Sequence, residues 1–308
     1  MNKIFSNKFI NLISNIRHKG FFHLLSANFL ISFLGFGSQL FVAKFLSSTD
    51  LGRIKTMQSF TSLAVIIAGF GFNTAVLKLC SEDNSLDEKK YILKENLKLT
   101  AIGIALTLII MTILALGGYL SPDRVINHWM LLFMFSIPSA VITSLLICYI
   151  QALKKIQVMA YTQVAIRSLS VVSLMVFTYF WKLPGFIFSS ILFGLIALIP
   201  LFRLTGVDWD VKRMRNDILR QSFYYGKWSM GSNGLNALGA SIDIFLLNYF
   251  VKDRAILGDY GLAMVFILAL NQITGTVQAI ATPFFSEKSN DKVEFIRVLR
   301  KYQRLLIA

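Results

Sequence analysis

Charge is scarce in this chain. Only 15% of its 308 residues are Asp, Glu, Lys or Arg, against about a quarter in a soluble domain, and 16 of those residues are acidic. That is too little to keep a soluble surface of this size in water. Cysteine and histidine are scarcer still, at 2 and 3 residues. Cys80 and Cys148 fall near span ends expected to face the cytoplasm, where thiols stay reduced, and His18, His23 and His128 are scattered, so neither a disulfide nor a metal site is expected. No Gly-x-x-x-x-Gly-Lys-Ser/Thr segment occurs, so an ATP-driven pump would need a separate subunit. What the sequence does have is apolar length, with 55% hydrophobic residues and a mean hydropathy of +0.62. At about 20 apolar residues per membrane crossing, this fills about eight spans and leaves no room for an extramembrane domain.

The apolar runs lie at Phe21–Leu46, Thr56–Leu79, Leu97–Leu120, His128–Gln151, Val158–Trp181, Gly185–Phe202, Phe223–Phe250 and Leu257–Phe285. They last 18 to 29 residues without period-2 alternation, which excludes a closed β-barrel and leaves helices to satisfy the backbone in lipid. The expected class is therefore all-α, a polytopic membrane helix bundle. Lys and Arg in alternating connections number 22 on one side and 7 on the other, which places the N-terminus in the cytoplasm. Much of the net charge of +15 is thus topological, and nucleic acid is not needed to explain it. Residues 1–20, with Lys3, Lys8, Arg17 and Lys19 beside Phe5, Phe9, Leu12, Ile13 and Ile16 at helical spacing, suit an amphipathic segment on the inner leaflet.

Shifted by 206 residues, 51–102 aligns with 257–308 without a gap and with 10 identities, among them Leu51-Gly52 with Leu257-Gly258 and Gly69 with Gly275. The offset sets span 7 on span 1 and span 8 on span 2, as a parallel six-plus-six duplication requires. The expected organisation is a six-helix bundle over 21–203, a cytoplasmic linker over 204–222, and the start of a pseudo-symmetric second bundle over 223–308. Only Leu305–Ala308 form an apolar run where span 3 would repeat, so the chain is expected to be C-terminally truncated.

Hydrogen-bonding side chains in lipid are costly, and where they share a helical face that face should look toward other helices or water. Span 1 carries Asn28, Ser32, Gly35 and Gln39; span 7 carries Ser229, Asn233, Asn236 and Asp243; span 8 carries Asn271, Thr274, Gln278 and Thr282. Three such stripes predict a shared polar cavity, although each amide could equally staple two helices together. Spans 3 and 6 read as lipid-facing. Arg167 lies about 13 Å into span 5, where an unpaired guanidinium is expensive and its forked donors suit a phosphate, a helix-to-helix hydrogen bond being the alternative. Lys227 beside Trp228 fits either a cavity cation or an interfacial snorkel. Asp243, the one acidic residue well inside a span, is the candidate coupling carboxylate, with a static salt bridge as the other reading. Pro138, Pro200 and Pro283, with Gly226, Gly231, Gly234 and Gly239, mark places where spans could bend.

The stretch Asn28-Phe-Leu-Ile-Ser-Phe-Leu-Gly35, then Asp50-Leu51-Gly52, Gly69-Phe-Gly71 and Thr74-Ala75, resembles the start of the bacterial polysaccharide flippases. These are the O-antigen and lipid-linked oligosaccharide transporters of the multidrug/oligosaccharidyl-lipid/polysaccharide superfamily. Asp243, Leu257-Gly258-Asp259-Tyr260 and Pro283-Phe-Phe-Ser286-Glu287 look like that family's seventh and eighth helices. The resemblance implies a bacterial inner-membrane protein with two six-helix bundles around a cavity lined by helices 1, 2, 7 and 8. It also implies alternating access that carries an undecaprenyl-diphosphate-linked glycan to the outer leaflet. Candidate substrate contacts are Arg167, Lys227, Asn28, Gln39, Asn233, Asn236, Asn271 and Gln278. No cofactor is implied beyond a proton or sodium gradient, and the partners would be the lipid-linked oligosaccharide, membrane lipids, a polysaccharide polymerase and glycosyltransferases. Two alternatives stay open: a drug or cation exporter of the same superfamily, which Asp243 fits and Arg167 does not, and a membrane-embedded glycan polymerase or ligase, which the short outer loops disfavour.

Overall fold

The computed structural model describes residues 21–267 except 83, 208, 210–216 and 252, with the side chains of 21–29 and 156 also excepted. Among the described residues the secondary structure is helical. The helices are α1 (Phe21–Phe45), α2 (Ser48–Gly69), α3 (Phe72–Ser81), α4 (Leu86–Leu116), α5 (Arg124–Phe133), α6 (Ser136–Ala152), α7 (Ile156–Thr205) and α8 (Ile218–Phe250). A further helix, α9, covers 254–262 within the same compact unit; 263–308 form a second unit, of which 263–267 are described. The expected truncation, the Pro283 bend and the span 8 stripe Asn271, Thr274, Gln278 and Thr282 lie outside the described residues.

Helix starts follow their caps. Ser47 accepts from the Asp50 amide at 3.1 Å, Ser85 from the Glu88 amide at 3.2 Å in a Ser-x-x-Glu box, and Asp123 from the Val125 amide at 2.9 Å. Two spans are broken. α2 and α3 meet at 46° across Phe70 and Gly71, both left-handed with φ of 45° and 71°, and α5 and α6 meet at 45°. Pro138 sits in the first turn of α6, where its missing N–H leaves no helical bond unmade. α7 contains two spans. Lys182, at φ 52° and ψ −132°, folds it into a hairpin, and Ser173 Oγ and Ser189 Oγ lie 3.2 Å apart where an unbroken helix would hold them about 24 Å apart.

Leu86–Leu116 and Gln157–Thr205 are long and apolar enough to cross a membrane, and the two broken pairs qualify together. α4 shows the two faces such a span needs. Ile102, Leu106, Ile109, Ile110 and Ile113 are exposed, whereas Thr100, Ile104, Thr107, Met111 and Ala115 are buried. An apolar surface this continuous belongs in lipid, and the protein is a multi-pass membrane protein. The connections after α1, α4 and α8 and at Lys182 gather at one end of the bundle. Those after α3, α6 and α7, with Lys78, Lys89, Lys90, Lys154 and Lys155, form a basic end.

Two hydrophobic clusters stack along the bundle. One contains Val42, Leu51, Met57, Ile126, Met130 and Ile187; the other, toward the basic end, contains Phe72, Leu79, Ile92, Leu146, Tyr149 and Leu201. At the non-basic end, α9 is held to the rest by a close crossing with α2. A Cβ on Gly52 would collide with the Arg254 carbonyl oxygen, and one on Gly258 with the Ser48 carbonyl oxygen. In the 206-residue register 52 pairs with 258 and 48 with 254, so the crossing is reciprocal, as at a two-fold interface. The same register pairs Lys55 with Gly261, and a Cβ on Gly261 would lie 2.5 Å from Lys55 Cγ.

Beside the crossing, Asp123 joins separate elements. It accepts from Arg53 Nε at 2.9 Å and lies 4.0 Å from Arg254 Nε, while Arg53 also bonds Asp50 at 3.0 Å. Asn248, fully buried, receives Ser121 Oγ at 2.7 Å and Arg254 Nη1 at 3.2 Å and donates to the Leu120 carbonyl at 3.0 Å.

Gly258→Ala should lower stability by about 2 to 3 kcal/mol because backbone has to move. Gly37→Ala, with nothing within 4 Å of its Cβ among the described residues, should be neutral or stabilising by up to about 1 kcal/mol. Melting midpoints in one detergent check both, and equal shifts would contradict the close crossing. Asp123→Ala should cost about 2 kcal/mol by leaving two guanidinium groups without their shared carboxylate. A double-mutant cycle with Arg53→Ala should show positive coupling, and additive losses would mean that the contact is energetically idle.

Candidate functional site

The helices part between the two hydrophobic clusters. There a cavity of about 430 Å³ opens at the α2–α3 break, lined by residues of α2, α3, α4, α6 and α8. Its polar contributors are Asn73, Thr100, Ser144, Asn233 and Asn236, and Val141 and Leu145 supply aliphatic wall. None of the lining residues is charged. Asn73 Nδ2 donates to Ser144 Oγ at 3.0 Å, and Asn233 Nδ2 to Ser229 Oγ at 3.2 Å. Ser229 Oγ also lies 2.7 Å from Thr74 Oγ1, fastening α8 to α3 just below the cavity. Gly71 and Gly226 make this fastening possible, since a Cβ on either would come within 2.6 Å of the other segment's carbonyl oxygen at Gly226 or Phe70.

Of the expected contacts, Asn233 and Asn236 line this cavity. Gln39 and Arg167 lie elsewhere, at neighbouring turns on one face of α1. Gln39 Oε1 accepts from Lys55 Nζ, and one turn away Arg167 Nη2 lies against Gly35, 2.9 Å from where a Cβ would stand. Among the described residues no carboxylate pairs with Arg167 or Lys55. Lys227 does not join them. Its ammonium lies over the rings of Tyr224 at 5.3 Å and Trp228 at 5.5 Å, the geometry of an interfacial side chain. Asp243 is exposed and accepts from the Tyr260 hydroxyl at 2.7 Å, linking α8 to α9. Asn28 lies on α1 with its side chain outside the described residues, and Asn271 and Gln278 are also outside them.

The sequence reading missed three contributors. Lys55 was expected in an outer connection. The Ser47 cap starts α2 at Ser48 and carries Lys55 about 10 Å into the bundle, and the spacing from Ser47 to Asp50 was the available signal. Thr100 lies on a span expected to face lipid throughout. Asn96, Thr100, Gly103 and Thr107 share one face of α4, and a Cβ on Gly103 would collide with the Ala68 carbonyl oxygen, so that face packs on α2. Asn73 becomes a lining residue because the left-handed Phe70 and Gly71 restart the helix. Among the described residues there is no group of three or more His, Cys, Asp or Glu that could hold a metal ion.

A family model described as polysaccharide biosynthesis protein matches residues 18–289. Comparison with curated proteins gives no match. Among solved structures, the chain is similar to one described as a crystal structure of MATE in complex with Br-NRF. The TM-score is 0.57 at 15% identity, covering 92% of this chain and 69% of that one. At that identity the likeness concerns the fold, which is MATE-like. The family match spans most of the sequence, and the chain belongs to the polysaccharide biosynthesis protein family.

Proposed function

We propose that the protein flips a polyprenyl-diphosphate-linked oligosaccharide, an O-antigen or other surface-polysaccharide repeat unit, from the cytoplasmic to the outer leaflet of a bacterial inner membrane. The reading rests chiefly on one observation. Arg167 and Lys55, two cations on spanning helices with no carboxylate partner among the described residues, share a face of α1, while a separate neutral polar cavity opens at the α2–α3 break. A diphosphate needs the first and a glycan the second. The basic bias supports a cytoplasmic N-terminus and a cytoplasmic basic end. The bundle over 21–203 and the second bundle beginning at 223 are the bodies that would rock about the cavity in a non-enzymatic cycle driven by a proton or sodium gradient. Glycosyltransferases would supply the lipid-linked glycan and a polymerase would receive it. A drug or cation exporter is the second reading. The accessible Asp243 carboxylate and the MATE-like fold favour it.

In cells that depend on the full-length protein, Arg167→Ala should cut surface glycan display at least tenfold at equal membrane abundance, and Arg167→Lys should cut it less. Undiminished display in Arg167→Ala would remove Arg167 from the substrate path. Asp243→Asn keeps an acceptor for Tyr260 but cannot be ionised. Transport by this variant into vesicles should no longer respond to an imposed proton or sodium gradient, and a retained response would exclude Asp243 as the coupling group.

A further inference from the structure

Lys44 and Lys182 converge on one aromatic ring at the non-basic end. Lys44 lies in the last turn of α1 and Lys182 at the turn where α7 folds back, yet their ammonium groups stand 5.9 and 5.7 Å from the centroid of the Phe45 ring. They are therefore no more than about 12 Å apart and repel each other. Neither pairs with a carboxylate among the described residues. Asp50, Asp123 and Asp253, at the same end, are engaged elsewhere, the first two with Arg53 and the third with the Ala255 amide. We infer that Lys44 and Lys182 bind the headgroup phosphate of an anionic phospholipid of the phosphatidylglycerol type, seated in the leaflet at the non-basic end. Calling that leaflet the outer one rests on the orientation proposed above; the headgroup chemistry does not depend on what the protein transports.

Each lysine alone has a simpler account. A cation in the last turn of a helix is drawn to the free carbonyls there, and long cationic side chains near a membrane surface reach for the headgroups. Neither effect brings two like charges from separate helices to one ring. At Lys227 one ammonium covers two rings of its own helix, whereas here two ammonium groups share one ring. The backbone of Lys182 adds to this, since φ 52° with ψ −132° suits glycine, and a lysine holds it only where its surroundings enforce it. Positive charge at this end also works against the orientation signal of the spans. A phosphate set between the ammonium groups meets both, because each sits on a flexible four-carbon stem, and it cancels their repulsion.

The surface around the pair suits a lipid. Tyr179, Phe180 and Trp181 are 51, 67 and 58% exposed, an aromatic belt at headgroup depth, and Tyr179 meets Phe45 edge-on at 5.2 Å. Deeper in the membrane, Leu169, Val172 and Val176 lead up to Phe180 at helical spacing, all exposed, an apolar stripe along which an acyl chain can lie. The transported molecule is a poor occupant. Lys44 is nine residues from Gly35, about 2.5 turns of α1, so it looks away from the face that carries Gln39 and meets Arg167.

The test uses the full chain in phosphatidylcholine nanodiscs, with acyl-brominated phosphatidylglycerol or acyl-brominated phosphatidylcholine as a quencher of Trp181. The Trp181 signal is the fluorescence that Trp181→Phe removes. Phosphatidylglycerol should half-quench it at about a 25-fold lower mole fraction than phosphatidylcholine, and Lys44→Gln and Lys182→Gln should each shrink that preference about fivefold. High salt should weaken the preference. Lys154→Gln with Lys155→Gln, at the basic end, should leave it unchanged. Lys182→Gly suits the backbone and should melt no lower than wild type while losing the same fivefold, which separates headgroup binding from a structural role. If that variant folds poorly, Lys44→Gln, which leaves the turn untouched, carries the test. Equal quenching by the two lipids in wild type would overturn the proposal. So would a preference that survives in the Lys44→Gln, Lys182→Gln double variant, or one that is lost with Lys154 and Lys155 instead.

Discussion

The contact on which the rest of this bundle depends is the crossing of α2 and α9 at Gly52 and Gly258. With no Cβ on either residue, two helix backbones approach closer than side chains allow, and each glycine meets the carbonyl of the other helix's preceding turn. That approach brings Arg254 to Asp123 and lays the Lys55 stem across Gly261. Since the meeting residues are repeat equivalents, one sequence feature, Leu-Gly, serves both sides of the contact. The joint between α2 and α9 is thus self-complementary, each glycine seated on the other helix's carbonyl.

Much of this fold is legible in the sequence because lipid imposes a simple rule. A span must be apolar for about 20 residues and must satisfy its own backbone, so runs such as 97–120 and 158–181 declare themselves. The hairpin within α7 was legible too, from Trp181, Lys182 and Pro184-Gly185 between two apolar runs. The breaks in spans 2 and 4 were not. Neither has a proline at the break itself, and the one local signal at the first, left-handed Gly71, lies inside an apolar run that continues through it, where the close approach of Gly226 fixes the turn. The candidate site was half legible. Stripes of amides on spans 1 and 7 marked Gln39, Asn233 and Asn236, but an isolated threonine in an apolar helix has no signature until a facing backbone shows which side of α4 is buried. For Lys55 the difficulty was a boundary, since apolar runs understate helices whose first turns are polar.

The separation of cations from neutral polar groups follows from the same geometry. Arg167 and Lys55 reach one face of α1, whereas the amides and hydroxyls gather where α2 breaks away from α3, beneath α8. A single pocket containing all of them would let the cations bond the amides and quench both. Gln39 already takes one such bond from Lys55, which is what a half-buried ammonium finds when no carboxylate pairs with it among the described residues. Keeping Asn73, Asn233 and Asn236 at a distance leaves their bonding capacity for something neutral.

α8 shows how the bundle tolerates that polarity. It is 33 residues long, yet it is not among the helices apolar enough by composition to cross a membrane, because Asn233, Asn236 and Asp243 occupy its middle. Such a helix is stable in lipid only while that face meets other helices or water. Gly226 against Phe70 pins it near one end and Asn248 against Ser121 and Leu120 near the other. Between the pins, Gly231, Gly234 and Gly239 have nothing within 4 Å of a Cβ among the described residues, so no close packing there explains them. Each weakens the helix by about 1 kcal/mol relative to alanine. The least stabilised stretch of α8 therefore lies beside the cavity. Bending that stretch costs less than breaking either pin, so a motion that changes access to the polar groups would leave the ends of the bundle intact.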